Sequence, residues 1–73
     1  MDEPLDLIGL KCPLPALMTK KALARRASGD VVTVWASDPL AAVDIPHMCA
    51  EEGHSVESVV KEQSRTIFRI RRG

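Results

Sequence analysis

The sequence contains few aromatic side chains: Trp35 and Phe68 are the only two among 73 residues, and tyrosine is absent. A core must therefore be built mainly from Val, Leu, Ile and Ala. A chain this short buries only about 60% of the surface that it exposes when unfolded, so residues 1–73 are expected to form a single small domain. The scarcity of aromatics also argues against a surface that binds nucleic acid by base stacking.

Long apolar segments are missing as well. No run approaches the roughly 18 consecutive apolar residues of a membrane-spanning helix. The acidic residues Asp2 and Glu3 are unlike the start of a signal peptide, which carries positive charge. The sequence therefore predicts a cytoplasmic protein that makes no contact with a membrane.

Net charge is zero, but the charges are arranged in blocks. The charged side chains of residues 7–29 are all basic, those of residues 30–57 are all acidic, and those of residues 61–72 are again mostly basic. The zero net charge and the lack of an RNA-binding motif disfavour direct contact with nucleic acid. Two interpretations of the blocks stay open: three solvated surfaces, or a basic surface that docks an acidic partner or an RNA backbone.

Hydrophobic periodicity and turn residues predict the order β-α-β-α-β-β. The fold class is therefore α/β, a two-layer sandwich with two helices on one face of a four-stranded mixed sheet. The predicted strands cover residues 4–8, 31–36, 55–61 and 66–71, with a polar turn at 62–65 and with Phe68 and Ile70 facing the core. The predicted helices cover residues 13–27 and, after a short turn at 39–43, residues 44–53.

The first helix has two apolar stripes, and one helix face cannot bury both. The stripe expected to face the sheet consists of Ala16, Leu17, Leu23, Ala24 and Ala27. Lys20 falls within this arc, so it must reach solvent or a partner. The second stripe contains Leu14 and Met18, bordered by Lys21, and should be partly exposed beside Cys12. It is either a wider core contact or a docking patch.

Cys12 lies at the junction between the first strand and the first helix. As the helix N-cap it would place Pro13 and Pro15 in the first turn, where prolines cost no helical hydrogen bonds. The free amides of that turn, the helix dipole and Lys11 should bias the sulfur toward thiolate, which is the nucleophilic form. A reactive thiol and a structural cysteine both remain possible from the residues alone.

The other polar candidates favour structural roles. Cys49 is expected to be a packed core thiol on the inward face with Ala42 and Ile45, although a second reactive cysteine stays open. Asp38 and Asp44 are interpreted as helix caps, and Trp35 as core packing. Cysteine and histidine side chains can bind a metal ion, but the spacing of Cys12, His47, Cys49 and His54 fits no usual zinc pattern. We therefore predict no metal site and no cofactor.

Two motifs resemble one family closely. Cys12-Pro13-Leu14-Pro15, followed by Thr19-Lys20-Lys21-Ala22-Leu23, is similar to the Cys-Pro-x-Pro signature of the TusA/SirA family of sulfur carriers. Asp38-Pro39, Asp44-Ile45-Pro46 and Cys49 resemble the second motif of that family, and Phe68-Arg69-Ile70-Arg71 resembles its closing strand. The likeness covers nearly the whole chain.

The resemblance implies that Cys12 accepts sulfur as a persulfide and that Pro13 and Pro15 shape its surroundings. The implied partners are a donor protein, such as a cysteine desulfurase or a rhodanese-like protein, and an acceptor sulfurtransferase. The implied pathways are tRNA thiolation, molybdenum cofactor synthesis and sulfur oxidation. Side chains that could dock a partner are Lys11, Leu14, Met18 and Lys21. The alternative is a small nucleic-acid- or protein-binding module with no sulfur chemistry.

Overall fold

A computed structural model describes residues 4–73. Asp2 and Glu3, on which the argument about a signal peptide rests, lie outside the described residues. The elements follow in the predicted order: β1 (Leu5–Leu7), α1 (Leu14–Ala24), β2 (Val31–Ala36), α2 (Ala41–Glu52), β3 (Ser55–Lys61) and β4 (Thr66–Arg71). No helix within residues 4–73 is long and apolar enough to cross a membrane.

The four strands form one mixed sheet in the order β1-β2-β4-β3. β1 and β2 are parallel, whereas β4 runs antiparallel to both β2 and β3. The predicted hairpin and its polar turn are confirmed. Because β1 and β2 are parallel and each leads into a helix, α1 and α2 begin at the same end of the molecule.

The core lies between the helices and one face of the sheet. In β2 the side chains alternate strictly, with Val32, Val34 and Ala36 buried. Phe68 and Ile70 of β4 are fully buried opposite them, as predicted. The two-layer α/β sandwich expected from the sequence is therefore confirmed. The buried apolar residues are Leu7, Leu23, Val32, Val34, Ala36, Ala41, Ile45, Met48, Cys49, Phe68 and Ile70.

The first helix is shorter and differently oriented than predicted. It ends at Ala24 rather than Ala27, and its buried side chains are Pro15, Thr19 and Leu23. Leu17, expected to face the sheet, is 49% exposed. The hydroxyl of Thr19 donates a 2.7 Å hydrogen bond to the Pro15 carbonyl, which satisfies this polar group inside the core. Of Leu17 and Leu23, which were both expected to face the sheet, only Leu23 therefore contributes to the core.

The second helix is continuous and does not restart at Asp44. It runs from Ala41 through Pro46 to Glu52. A single interior proline removes one helical hydrogen bond but does not end the helix, because Ala41, Ile45 and Met48 bury its inner face. The helix ends at Gly53, as predicted, and this residue adopts a φ of 82° that favours glycine. The buried position assigned to Ala42 belongs to Ala41.

The outer face of the sheet carries Trp35, so the prediction that this residue packs in the core is wrong. Trp35 is half-buried, and the guanidinium carbon of Arg65 lies 4.3 Å from its ring centroid. Glu62 accepts a 2.7 Å hydrogen bond from the same Arg65. An arginine stacked on an aromatic face is a favourable cation–π arrangement, so the ring is covered by a side chain of the hairpin turn and not by a helix.

Candidate functional site

Cys12 lies in the connection between β1 and α1, outside the helix. Gly9, with a φ of 89°, turns the chain away from β1, and its N–H donates to Ser37 Oγ at 2.8 Å. The N–H of Leu14 donates to the carbonyl of Lys11 at 2.8 Å, which closes a tight turn around Cys12. These bonds hold the cysteine at the end of the molecule where both helices begin.

The prediction that Cys12 caps α1 is wrong by one residue. Pro13 occupies the N-cap position, and Pro15 is the second helical residue. Pro15 is fully buried, whereas Pro13 is exposed. The peptide bond between Cys12 and Pro13 is cis. The Leu14 amide, expected to be free for the sulfur, is already bonded to Lys11. The helix N-terminus therefore does not hold the sulfur in the way the sequence suggested.

Two carboxylates from the other helix segment contact Cys12 instead. The Sγ of Cys12 donates to Asp44 Oδ2 at 2.9 Å, and the backbone N–H of Cys12 donates to Asp38 Oδ2 at 2.6 Å. Asp38 also accepts from the N–H of Leu40 at 3.2 Å. Leu40 is the N-cap of α2 and no side chain caps this helix, so the prediction that Asp38 is a helix cap is wrong. Asp44 lies in the first turn of α2 and is not its cap.

These contacts reverse the expected ionisation of the site. The hydrogen bond to Asp44 raises the pKa of the Cys12 thiol, and desolvation and the negative charges of Asp44 and Asp38 act in the same direction. A carboxylate that accepts from S–H stabilises the protonated form. The surroundings of Cys12 therefore favour the thiol form and not the thiolate that the sequence predicted.

Topology explains the position of both carboxylates. Asp38 and Asp44 follow β2, and Cys12 follows β1, its parallel neighbour. The segments that leave two adjacent parallel strands meet at the same edge of the sheet. This rule could have placed the carboxylates beside Cys12 from the predicted strand order alone.

Apolar side chains are exposed at the same end of the molecule. Leu14, Leu17 and Met18 lie on α1, and Leu40 and Val43 lie at the start of α2. The partly exposed stripe of Leu14 and Met18 is thus observed, and it is wider than predicted because Leu17 belongs to it. We call these five residues the apical patch. Several large apolar side chains exposed on neighbouring helices favour an interaction surface.

The remaining predicted residues lie at different distances from the sulfur. Lys11 is adjacent in sequence and exposed, whereas Lys21 lies in the last turn of α1, roughly 10 Å along the helix from Leu14. Lys20 pairs with Glu52 at 3.4 Å. Cys49 is 1% exposed, and burial raises the pKa of its thiol to about 11. The expectation of a packed Cys49 is confirmed.

No group of three or more metal-ligating side chains occurs within residues 4–73. The residues that were weighed as ligands are separated: Cys49 is buried, and His47 pairs with Glu51 on the exposed side of α2 at 3.3 Å. The site contains the accessible sulfur of Cys12 and the carboxylates of Asp38 and Asp44.

The fold and the site define a small α/β domain that presents one exposed cysteine at the shared end of its two helices. A family model described as Sulfurtransferase TusA matches residues 3–72, and the chain belongs to that family. The family resemblance inferred from the two motifs is thus confirmed.

Known relatives agree with this assignment. Two proteins of Neisseria meningitidis, from serogroups A and B, carry names that describe them as candidate sulfur carrier proteins. Each is 54% identical to this chain over 52 residues, which is 71% of this chain and 70% of the relative. A crystal structure of a SirA-like protein from Desulfitobacterium hafniense is similar with a TM-score of 0.82 and 28% identity, covering 96% of both chains.

Proposed function

We propose that the protein is a sulfur carrier that holds sulfane sulfur as a persulfide on Cys12. The observation that supports this most directly is the contrast between its two cysteines. Cys12 is exposed, whereas Cys49 is sealed in the core. Of the two thiols in this chain, only that of Cys12 is accessible to a second protein.

The transfer step needs no cofactor or oxidant. The thiolate of Cys12 attacks the outer sulfur of a persulfide on the donor protein, a sulfur–sulfur bond forms, and the donor's own sulfur–sulfur bond breaks. The donor cysteine leaves as a thiolate and takes up a proton. The step therefore involves no net oxidation or reduction. The reverse sequence with an acceptor thiol delivers the sulfur. A carrier of this kind turns over only with its partners.

The partners follow from this chemistry. The donor must be a protein that forms a persulfide, such as a cysteine desulfurase or a rhodanese-like protein, and the acceptor must be a sulfurtransferase with a free thiol. We assign their docking site to the apical patch around Cys12, with Lys11 at its edge and Lys21 farther along α1. The delivered sulfur would enter tRNA thiolation, molybdenum cofactor synthesis or sulfur oxidation, the pathways that the family resemblance implies.

Mass spectrometry tests the proposal. The protein is incubated with a cysteine desulfurase and cysteine, or with polysulfide, and is then analysed intact and as peptides. We expect a gain of one sulfur on the peptide that contains Cys12, removed by reductant and absent from the Cys49 peptide. The Cys12→Ser variant is the matched control, since oxygen cannot carry sulfane sulfur. No adduct on Cys12 with either donor would refute the proposal and favour a binding module without sulfur chemistry.

A further inference from the structure

The most informative contact of the site is the one between the thiol of Cys12 and Asp44. An accessible cysteine that works as a nucleophile would normally be placed beside a cation or a helix N-terminus, both of which favour thiolate. Here the Sγ atom donates to a carboxylate oxygen at 2.9 Å. The contact therefore opposes the ionisation that sulfur transfer requires.

Asp44 is held firmly in this position. It lies in the first turn of α2, where a negative charge interacts favourably with the helix dipole, and its own N–H donates to the carbonyl of Leu40 at 2.9 Å. The neighbouring Ile45 is fully buried in the core. The first turn of α2 thus presents the carboxylate to the sulfur.

The charged groups that face the sulfur are mainly negative. From the α2 side these are Asp44, in direct contact, and Asp38, which binds the Cys12 backbone. From the side of the β1–α1 connection the neighbouring charge is Lys11, whose side chain is exposed to solvent. Both carboxylates raise the pKa of the thiol, so the electrostatic effect and the hydrogen bond act together.

We propose that Asp44 restrains Cys12 in the free protein, because its carboxylate accepts the S–H hydrogen bond and keeps the sulfur as a weakly nucleophilic thiol. The restraint protects an exposed carrier cysteine from alkylation and oxidation between encounters with its partners. Loading then requires that the hydrogen bond between Cys12 and Asp44 be loosened. Cys12 loses its proton as the new sulfur–sulfur bond forms, and the departing donor thiolate takes up one proton. Asp44 is thus a positioning residue that controls the state of the sulfur.

The test is the pH profile of Cys12 alkylation by iodoacetamide, measured on the Cys12 peptide for the full chain. In Asp44→Asn the rate at neutral pH should rise several-fold, and the midpoint of the profile should move to lower pH, because the neutral amide no longer opposes thiolate. Glu51→Gln removes a charge from the exposed side of the same helix and should leave the profile unchanged. Asp44→Glu should retain most of the restraint.

An unchanged profile in a folded Asp44→Asn protein would overturn the inference. If that variant does not fold, Asp44→Ala provides the same comparison, since alanine is the best helix former. The inference rests on the proposed function in taking Cys12 as the sulfur acceptor, but the two fail separately. Faster alkylation without sulfur uptake would refute the carrier and leave the restraint, whereas normal sulfur uptake with an unshifted profile would refute only the restraint.

Discussion

The backbone N–H of Cys12 donates a hydrogen bond to Oδ2 of Asp38 at 2.6 Å, although the two residues are 26 positions apart in the chain. The other oxygen of this carboxylate accepts from Leu40 at the start of α2. One side chain thus connects the cysteine segment to the second helix. This link explains how an exposed segment outside any helix or strand keeps a defined geometry.

Replacing Asp38 by alanine should release this segment. Both hydrogen bonds are lost, and charge-assisted bonds of this kind are among the stronger ones in proteins. Amide hydrogen exchange at Cys12 should accelerate by roughly tenfold. The matched control is Asp30→Ala, because Asp30 also accepts a backbone N–H, from Ala27 at 3.0 Å, but at the other end of α1. Unchanged exchange at Cys12 would contradict the role assigned to Asp38.

Two leucines of α1 should differ sharply in their contribution to stability. Leu23 is fully buried, whereas Leu17 is 49% exposed. Leu23→Ala leaves a cavity in the core and should lower the free energy of unfolding by about 2–5 kcal/mol. Leu17→Ala should cost less than about 1 kcal/mol, as is usual for surface positions. Urea denaturation of both variants measures the difference, and equal losses would contradict the observed orientation of the helix.

The same pair of leucines shows where sequence reasoning about this fold succeeded and where it failed. The order of elements and the inward positions of Phe68 and Ile70 follow from alternation in β-strands, which has a period of two and leaves little ambiguity. The predicted inward face of α1 was wrong because hydrophobicity alone favours burial of Leu17 over burial of Thr19. Thr19 is buried because its hydroxyl bonds within its own helix, and hydropathy does not encode that bond.

The site was predicted less completely than the fold. Cys12 and its prolines could be found because they form a local motif, but the Asp44 contact joins residues 32 positions apart. An Asp before a helical segment is usually interpreted as a cap. Asp44 was interpreted in this way because Pro46 suggested that a new helix starts just before it. The continuity of α2 through Pro46 depends on burial of its inner face, which is a tertiary effect.

Docking at the apical patch predicts a difference between protein donors and small donors. Leu14 and Met18 are 45% and 40% exposed. Replacing both by glutamine, which adds no charge near Cys12, should weaken sulfur transfer from a cysteine desulfurase by about tenfold or more, since apolar anchors dominate protein interfaces, yet should leave loading from polysulfide unchanged. The control is Val60→Gln, which alters a similarly exposed side chain, at 51%, on the opposite face of the sheet. An equal effect of the control on desulfurase-dependent loading would place docking elsewhere.

Cys49 should make stability depend on pH in the alkaline range. Its pKa is raised by burial to about 11, whereas an unfolded cysteine ionises near pH 8.5. The folded state therefore keeps a proton that the unfolded state loses, so the contribution is fully present below about pH 8.5 and disappears as pH rises to about 11. The decrease should be about 3–4 kcal/mol, the free-energy equivalent of that pKa difference. Urea unfolding of Cys49→Ala and of the unmodified protein at each pH isolates the contribution of Cys49. The difference between their free energies of unfolding should become smaller as pH rises. A difference that stays constant across this range would mean that Cys49 is not sealed from solvent, and the contrast between the two cysteines would lose its physical basis.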